Sequence, residues 1–372
     1  MSAYLTLYGL RTMGIDAEMI MFPLSKQGQL WGTEVPVHYT SAPCIPRIGY
    51  SPTLKRDIRR LGSYDVYHAQ GIWQWNTYAL VDVARENDRP YVITPRGMLY
   101  PQDIAKRSTL FKRLSLWLRL RNDLNRAACV HVTCNEEMEH CRRLGISAPM
   151  AVIPNPVELK QHETKTKDGI FRIGYLGRVS RRKNIHGLIN AYINIGEAAR
   201  GTELVIIGDG DAEYKKELHN TARFVKHGTV RFLGFLNGEE KERAIDTLSV
   251  LVMPSEFENM GNVVLEALAR HIPCIATKGA PWHELETHGC GWWIDYSKEA
   301  IAKALLDAMQ TPDDELRAMG ERGRGLVEAN YSVEAVAGKM KALYDWIIGA
   351  GEMPGFVYTA SSEKIGGVKH AP

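Results

Sequence analysis

Short apolar runs rich in β-branched residues alternate along the chain with segments in which apolar residues recur at helical spacing. In the first half, these runs predict strands at 17–21, 66–68, 91–94, 129–133 and 151–153. The helical patterns between them cover 74–86, 104–126 and 135–144. Strands that alternate with helices in this order predict an α/β fold with a parallel sheet.

A second alternating series follows a polar stretch, so the sequence predicts two Rossmann-like domains. The strands of this series are almost wholly apolar, as strands buried on both faces are, and they span 171–176, 203–207, 229–233, 250–253 and 272–276. Two such domains that face each other leave a ligand cleft at the carboxyl ends of their strands. The predicted divisions are an N-terminal domain at 1–158, a linker at 159–169, a C-terminal domain at 170–332, a helix at 333–349 and a tail at 350–372.

The tail at 350–372 is punctuated by Gly, Ser and Pro without a period, which indicates a flexible tail or a loosely docked strand. At the other end, residues 1–14 already have a helical pattern.

Charge and cysteine content narrow the class of protein. The 46 Lys and Arg against 43 Asp and Glu give a net charge of +3, too small and too evenly mixed for nucleic acid to be the default partner. The six cysteines form no C-x-x-C pair and no secretory signal opens the chain, so we expect a cytoplasmic protein. No apolar run approaches the length of a membrane span.

The turn after strand 171–176 has the composition of an anion site. It begins at Gly177, carries Arg178 and Lys183 among four cations, and leads into a predicted helix. Backbone amides and the helix dipole attract an anion, and arginine offers a forked donor, so a phosphate is the expected ligand. The alternative is a solvated basic turn.

A second loop, after strand 250–253, carries carboxylates. Glu258 precedes the predicted helix, and Glu266 lies more than one turn inside it. We expect Gly261 to let a ligand approach the backbone, and the amides of Gly261, Asn262 and Val263 to bind an anionic oxygen. Carboxylates beside an anion site suit the binding of hydroxyl groups.

Four ordered motifs carry a family resemblance: GYLGRVSRRKNIHGLINAY, LVIIGDGD, VRFLGF and EFENMGNVVLEALARHIPCIAT. Together they resemble the carboxyl-terminal half of the retaining GT-B glycosyltransferases of family 4, whose E-x7-E signature Glu258 and Glu266 reproduce. The resemblance covers about 170–345 strongly and 60–160 more weakly.

The resemblance implies a nucleotide-diphosphate sugar as donor and no cofactor beyond it. Arg178 and Lys183 would bind the donor diphosphate and stabilise the leaving group, with the amides of 261–263 completing that site. Glu258 would hold sugar hydroxyls and Glu266 the ribose. Family members retain the anomeric configuration, by same-face attack with the leaving phosphate as base, and generally need no metal. We expect no D-x-D motif of this sequence to hold one.

The first half would then hold the acceptor. Family members often have H-x-H-G and T-x-H-G in the loops that here contain His68, Gln70 and Arg96, so Gln70 and Arg96 replace two histidines. A catalytic histidine role therefore does not transfer. Arg96 suits an anionic acceptor group or the donor phosphate, or else a structural ion pair; His68 is a cleft hydrogen-bonding group or a core histidine.

Family members begin with a strand and a Gly-rich loop, whereas the helical pattern of 1–14 comes first here. The first strand therefore has no counterpart: either the start is late, or the chain is a shortened variant whose sheet has an open edge.

The segment 104–126 mixes cations with Leu, Phe and Trp at helical spacing. It predicts either a helix on an anionic membrane surface, with its cations towards the head groups, or an amphipathic helix packed on its own sheet. The membrane alternative would make the protein peripheral on the cytoplasmic face of the inner membrane.

Two other chemistries fit poorly. IGDGD at 207–211 lacks the third glycine of a dinucleotide fingerprint, and the Cys and His residues of 129–141 match no zinc spacing. We therefore expect a retaining, metal-independent glycosyltransferase acting on a saccharide or lipid-linked acceptor in surface polysaccharide or glycan biosynthesis. The alternative is a non-catalytic sugar-nucleotide-binding protein or partner subunit.

Overall fold

The computed structural model describes residues 1–23, 33–105, 109–160 and 168–360. Internal contacts divide the chain into two compact units, one made of residues 1–156 with the residues from Val333 onward, and the other of Val157–Ser332. The predicted linker at 159–169 and tail at 350–372 lie partly outside the described residues.

The first unit is an α/β structure whose elements alternate as the hydrophobic pattern predicts. They are α1 (Ser2–Thr12), β1 (Met19–Met21), β2 (Val37–Tyr39), α2 (Leu54–Arg60), β3 (Tyr67–Gln70), α3 (Trp75–Glu86), β4 (Tyr91–Thr94), α4 (Pro101–Ala105), α5 (Thr109–Ser115), α6 (Arg121–Asn125), β5 (Cys129–Val132), α7 (Asn135–Arg143) and β6 (Met150–Val152). The helical pattern predicted over 104–126 is confirmed over 109–125, where α5, a π-helical turn at Leu116–Leu120 and α6 follow one another directly. Residues 106–108 lie outside the described residues.

The second unit repeats the pattern. Its elements are β7 (Phe171–Leu176), α8 (Ile185–Asn194), β8 (Thr202–Ile207), α9 (Ala212–Ala222), β9 (Thr229–Gly234), α10 (Gly238–Asp246), β10 (Val250–Met253), α11 (Asn262–Leu268), β11 (Cys274–Thr277), α12 (Glu284–Thr287), β12 (Gly291–Ile294), α13 (Lys298–Gln310) and α14 (Asp313–Asn330). Short 3-10 turns lie at Pro46–Ile48, Arg181–Lys183 and Gly196–Ala199.

The chain then returns to the first unit through α15 (Val333–Ile347) and β13 (Val357–Tyr358). α15 packs against α1, and Leu10 shares a buried cluster with Val336 and Val357. The predicted flexible tail is therefore ordered at β13, which docks as an antiparallel edge strand because its apolar side chain enters that cluster. The docked-strand alternative describes this part of the tail.

The two sheets differ at their edges. In the first unit the strand order is β13-β6-β5-β4-β3, with β3 to β6 parallel, and β1 pairs with β2 in a separate two-stranded sheet. β3 is an edge of the five-stranded sheet of the described residues. The second unit has a six-stranded parallel sheet in the order β12-β11-β10-β7-β8-β9.

The strand order of the second unit reverses between β7 and β10, which pair with each other at Ile173–Val250 and Gly174–Leu251. In open α/β sheets, ligands bind outside the carboxyl ends of the strands at such a reversal. The two segments that leave this point are the loop after β7 and the loop after β10. Of the predicted site residues, Arg178, Lys183 and Glu258 lie on these loops, and Glu266 lies in α11, which follows the second loop.

Candidate functional site

The loop after β7 is held to the loop after β8 by backbone hydrogen bonds. The Val179 amide donates to the Asp209 carbonyl at 2.9 Å, and the Asp211 amide donates to the Val179 carbonyl at 3.1 Å. A Cβ at Gly208 would lie 1.8 Å from the Gly177 carbonyl oxygen, so this close approach requires glycine. The cationic turn therefore has a fixed backbone.

The four cations of this turn have different surroundings. Lys183 forms an ion pair with Glu258, whereas Arg181 pairs with Glu217. Arg178 is exposed and has no side-chain hydrogen bond or ion pair within the described part of the chain. Lys183 and Arg181 are thus each held at a carboxylate, whereas Arg178 points to solvent.

Backbone contacts bring the loop after β10 to the cationic turn. The Glu256 amide donates to the Arg182 carbonyl at 3.1 Å, and the Glu258 amide donates to the Gly279 carbonyl at 2.8 Å. The side chains of Lys183 and Glu258 are 20% and 12% exposed, so their ion pair lies largely out of water. The structure therefore brings together two predicted site residues that are 75 positions apart.

Tyr175 lies beneath this pair and was missed by the sequence analysis. Its hydroxyl donates to the Arg178 carbonyl at 2.9 Å, which fixes the start of the cationic turn. Burial, and then the negative charge of Glu258, raise the pKa of Tyr175, so the hydroxyl remains a donor. The signal in the sequence was a tyrosine near the carboxyl end of the strand, two residues before Gly177.

Gly261 begins α11 in the left-handed region, with φ at 70°. A Cβ there would lie 2.6 Å from the Met253 sulfur and 3.3 Å from Nε1 of Trp282. Trp282 is fully buried, and its indole donates to the Met260 carbonyl. Glycine is therefore required by backbone conformation and by packing against protein atoms, whereas the sequence analysis attributed it to ligand approach. Trp282, distant in sequence, was not predicted.

Asn262 and Val263 form the first turn of α11, and the Val264 amide donates to the Gly261 carbonyl at 2.9 Å. Glu266 lies one turn further on and pairs with Lys241 of α10. The two carboxylates of the E-x7-E pattern therefore have different cationic partners. Lys241 was also missed, because nothing in its local sequence distinguishes it from a solvated helix residue.

In the first unit, the two residues that replace the family's histidines are bonded to each other. Nε of Arg96 donates to Oε1 of Gln70 at 2.9 Å, and Nη1 donates to Oδ1 of Asn155. Both bonded partners are neutral amides. Burial lowers the pKa of Arg96, with the Glu137 charge acting in the opposite direction. A structural ion pair was one alternative predicted for Arg96. Among the described residues, however, no carboxylate forms a hydrogen bond with its guanidinium.

Glu137 positions the loop that carries Arg96. Arg96 itself has a φ of 58°, and the amide of the following Gly97 donates to Oε1 of Glu137. The other carboxylate oxygen accepts from the Thr133 amide and hydroxyl at 2.8 and 2.9 Å. A buried acid thus holds the loop in a conformation that non-glycine residues rarely adopt.

His68 belongs to a chain of hydrogen bonds with a defined direction. Nε2 of His131 lies 2.8 Å from the Ile153 carbonyl, which only accepts, so this nitrogen carries the proton. Nδ1 of the neutral His131 then accepts from the Thr94 hydroxyl at 2.9 Å, and the Thr94 oxygen accepts from Nε2 of His68 at 2.6 Å. Nδ1 of His68 accepts from the Tyr344 hydroxyl at 2.6 Å.

Burial is the main reason why the pKa of His131 falls to about 4 and that of His68 lies well below its usual value. Both rings are therefore neutral near pH 7. Both nitrogens of His68 have protein partners, as in the core-histidine alternative. The chain of bonds connects β3, β4, β5 and α15 beneath the Arg96 loop.

The described residues contain neither a metal-binding cluster nor a membrane-spanning helix. No group of three or more His, Cys, Asp or Glu side chains there could hold a metal ion. Among the same residues, no helix has the length and apolar character needed to cross a membrane.

Two Rossmann-like parallel sheets, the second with a Lys–Glu pair at its strand-order reversal, are the architecture of the GT-B glycosyltransferases. The chain belongs to the group 1, or family 4, glycosyltransferases. The family model described as glycosyl transferases group 1 matches residues 157–341, and the glycosyl transferase 4-like domain matches residues 3–156.

Solved structures of this fold superpose over nearly the whole chain. HepE from Anabaena, in complex with UDP and glucose, has a TM-score of 0.69 and 18% identity, covering 91% of this chain and 94% of HepE. Sucrose-phosphate synthase from Thermosynechococcus elongatus has a TM-score of 0.72 and 20% identity, covering 93% and 92%. At these identities the likeness establishes the GT-B fold.

Curated relatives match over a shorter length. The Staphylococcus aureus capsular polysaccharide biosynthesis glycosyltransferase CapM is 26% identical over 194 residues, which cover 51% of this chain and 50% of CapM. The Rhizobium meliloti lipopolysaccharide core biosynthesis glycosyltransferase LpsE is 31% identical over 166 residues, covering 43% and 46%. The chain thus spans about half the length of these relatives.

Proposed function

We propose that the protein transfers a sugar from a nucleotide-diphosphate sugar to a saccharide or lipid-linked acceptor, with retention of configuration. The observation that carries this proposal is the Lys183–Glu258 pair, which lies where the two loops at the reversal of strand order are bonded together. Family membership and the UDP-glucose complex of HepE support this donor class. The names of CapM and LpsE support a role in surface polysaccharide or glycan biosynthesis.

In this proposal, Arg178 and Lys183 bind the donor diphosphate beside Gly177. Arg178 is exposed on the turn, and Lys183 is already held with its charge largely out of water, where an ionic hydrogen bond to phosphate is stronger. The amides of Gly261, Asn262 and Val263, at the start of α11, complete the diphosphate site.

The carboxylates have separate tasks in the proposal. Glu258 accepts hydrogen bonds from sugar hydroxyls and keeps Lys183 in place before the donor binds. Glu266 accepts from the ribose and is itself held by Lys241. A diphosphate would compete with Glu258 for Lys183, so donor binding would release a carboxylate oxygen for the sugar.

The transfer step needs no protein nucleophile. The bond between the anomeric carbon and the diphosphate oxygen breaks as the acceptor oxygen attacks the same face, and a diphosphate oxygen takes the acceptor proton. Negative charge grows on the diphosphate during this step, and Arg178 and Lys183 stabilise it without rearranging. The proposal includes no metal ion or other cofactor.

We propose that Gln70 and Arg96 form the acceptor side, with His68 supporting them through Thr94. Arg96 has a charge that its two bonded amides do not neutralise, so it favours an acceptor with a carboxylate or phosphate group. An Arg96→Gln variant should then lose its preference for acidic over neutral acceptors. Equal discrimination by the variant and the wild type would remove Arg96 from this role.

The compartment follows from the same proposal. Nucleotide sugars are cytoplasmic metabolites, and a lipid-linked acceptor is found at a membrane, so we propose a cytoplasmic protein that works at the inner face of that membrane.

Incubation with UDP-, GDP- and ADP-sugars and an extract of lipid-linked glycans tests the activity, with products identified by mass. Transfer of a sugar with retained configuration is expected. Binding of a nucleotide sugar with neither transfer nor hydrolysis would instead favour a non-catalytic sugar-nucleotide-binding subunit.

A further inference from the structure

One helical face in the first unit is apolar and points to solvent. Five large apolar side chains on α5 and the π-helical turn have exposures from 48% for Leu114 to 82% for Leu110, and we call them the ridge: Leu110, Phe111, Leu114, Trp117 and Leu118. Their spacing of one, four, seven and eight positions from Leu110 places them on one helical face. A surface helix normally turns such a face inward, so this orientation needs a partner.

The opposite face of the same segment is anchored to the protein. Nε of Arg119 donates to Asp123 at 2.9 Å, and the Arg119 guanidinium also pairs with Asp82. Asp123 is only 1% exposed and forms an ion pair with Arg85 as well, so breaking this network would leave a buried charge without compensation. Leu120 is fully buried in the core beside it. The outward direction of the ridge is thus fixed by buried contacts.

This arrangement changes the membrane hypothesis of the sequence analysis. The Arg119 side chain points towards the protein, where it pairs with Asp82. Nζ of Lys112 donates to the Asp103 carbonyl and lies 5.6 Å from the ring centre of Trp73. Two of the cations expected to face lipid head groups therefore face the protein. The alternative, an amphipathic helix packed on its own sheet, agrees with the buried Leu120 but does not account for the exposed ridge.

Two cations remain available beside the ridge. Arg113 and Arg121 are exposed, and neither has an ion pair within the described residues. Apolar side chains that include a tryptophan, bordered by free arginines, match the boundary between acyl chains and anionic head groups. A second copy of the chain fits less well, because a two-fold contact through the ridge would bring the same arginines near each other.

We infer that the ridge inserts into the surface of an anionic phospholipid bilayer, with Arg113 and Arg121 against the head-group phosphates. This inference rests on exposure and charge alone and stands without the transferase proposal. If both hold, the ridge keeps the enzyme at the surface that carries a lipid-linked acceptor.

Co-sedimentation of the full chain with vesicles tests this. The vesicles are phosphatidylcholine alone, or phosphatidylcholine with about one third phosphatidylglycerol. The wild type should sediment with the anionic vesicles, and Leu110→Ser, Trp117→Ser and Leu118→Ser combined should lower the partition coefficient by about tenfold or more. A Phe224→Ser variant, which removes a 71% exposed aromatic residue from the second unit, should bind as the wild type does.

Circular dichroism and the melting temperature of the triple variant should match those of the wild type, since the substituted side chains are exposed. Lipids with brominated acyl chains should quench wild-type tryptophan fluorescence, and Trp117→Phe should remove most of that quenching.

Failure of the wild type to bind anionic vesicles would overturn the inference, as would equal binding by the triple variant. A wild-type dimer that the triple variant converts to a monomer would point to a second copy instead. None of these measurements involves a nucleotide, so they leave the transferase proposal untouched.

Discussion

Lys183 pairs with Glu258 across the point where the strand order of the second unit reverses. Both side chains are mostly buried, yet the adjacent Arg178 is exposed and has no ion pair in the described residues. An incoming anion would therefore meet one available cation and one whose present partner is a carboxylate. In the proposed function, the pair would hold Lys183 in position before a ligand binds, and Glu258 would bind sugar hydroxyls afterwards.

Glu258→Gln separates these tasks. The substitution removes the charge that competes with phosphate for Lys183, so affinity for a nucleoside diphosphate should stay the same or rise. Sugar transfer should fall by about one to two orders of magnitude, because an ionised acceptor of hydrogen bonds is lost. Calorimetry with UDP, GDP and ADP measures the first effect, and product formation measures the second.

Glu256→Gln is the matched control, with the same change of charge on the same loop. Glu256 is exposed and contributes its backbone amide to the Arg182 contact, so its variant should keep transfer near the wild-type rate. Full activity of Glu258→Gln would remove Glu258 from the site.

Gly261→Ala tests the start of α11. A methyl group would meet the Met253 sulfur in a left-handed backbone, so the free energy of unfolding should fall by about 1 to 3 kcal/mol. Nucleotide affinity should fall as well, because the first turn of α11 would shift. Urea titration and calorimetry measure the two effects. Gly325→Ala in α14 is the control, because a methyl group there would lie in open space, and it should slightly raise the free energy of unfolding. Similar losses of stability in both variants would refute this account.

The His131 network predicts a pH dependence. Its folded pKa of about 4 is below the unfolded value near 6.5, so the unfolded state takes up a proton that the folded state does not. Stability is therefore full above about pH 6.5 and is lost as pH falls towards 4. Between pH 7 and 5, this one group should lower the free energy of unfolding by about 2 kcal/mol.

Urea unfolding at pH 7, 6 and 5 checks this, with His131→Gln as the comparison. The variant starts from a lower stability but should lose about 2 kcal/mol less than the wild type across the interval. Parallel pH profiles for the two proteins would exclude a buried neutral His131.

Much of the fold was predictable because its strands are compact apolar runs. The predicted bounds of β4, β7 and β10 agree with the structure residue for residue. The strands that were missed are short or at an edge: β2 has three residues, and β12 is only half-buried. β13, with two residues, was predicted only as one alternative for the tail. Such strands lack the length or burial that produces a clear periodic signal.

The site was predictable as two loops but not as a set of contacts. Lys183 and Glu258 were named from motifs, whereas Tyr175, Trp282 and Lys241 act through partners that local spacing does not reveal. Helical spacing on α5 also predicted an apolar face, but it did not predict whether that face points to solvent or to the core. That direction depends on Arg119 reaching Asp82, a contact between residues 37 positions apart.

The central claim is that the turn after β7 binds a diphosphate through Arg178 and Lys183. Calorimetric titration of UDP, GDP and ADP into the wild type and into an Arg178→Ala, Lys183→Ala double variant tests it most directly. Arg181→Ala is the control. It should bind the nucleotides as the wild type does, because Arg181 pairs with Glu217. The double variant should lose at least about 3 kcal/mol, or about a hundredfold in Kd. Unchanged affinity in the double variant, or no binding of any of the three nucleotides to the wild type, would contradict the account.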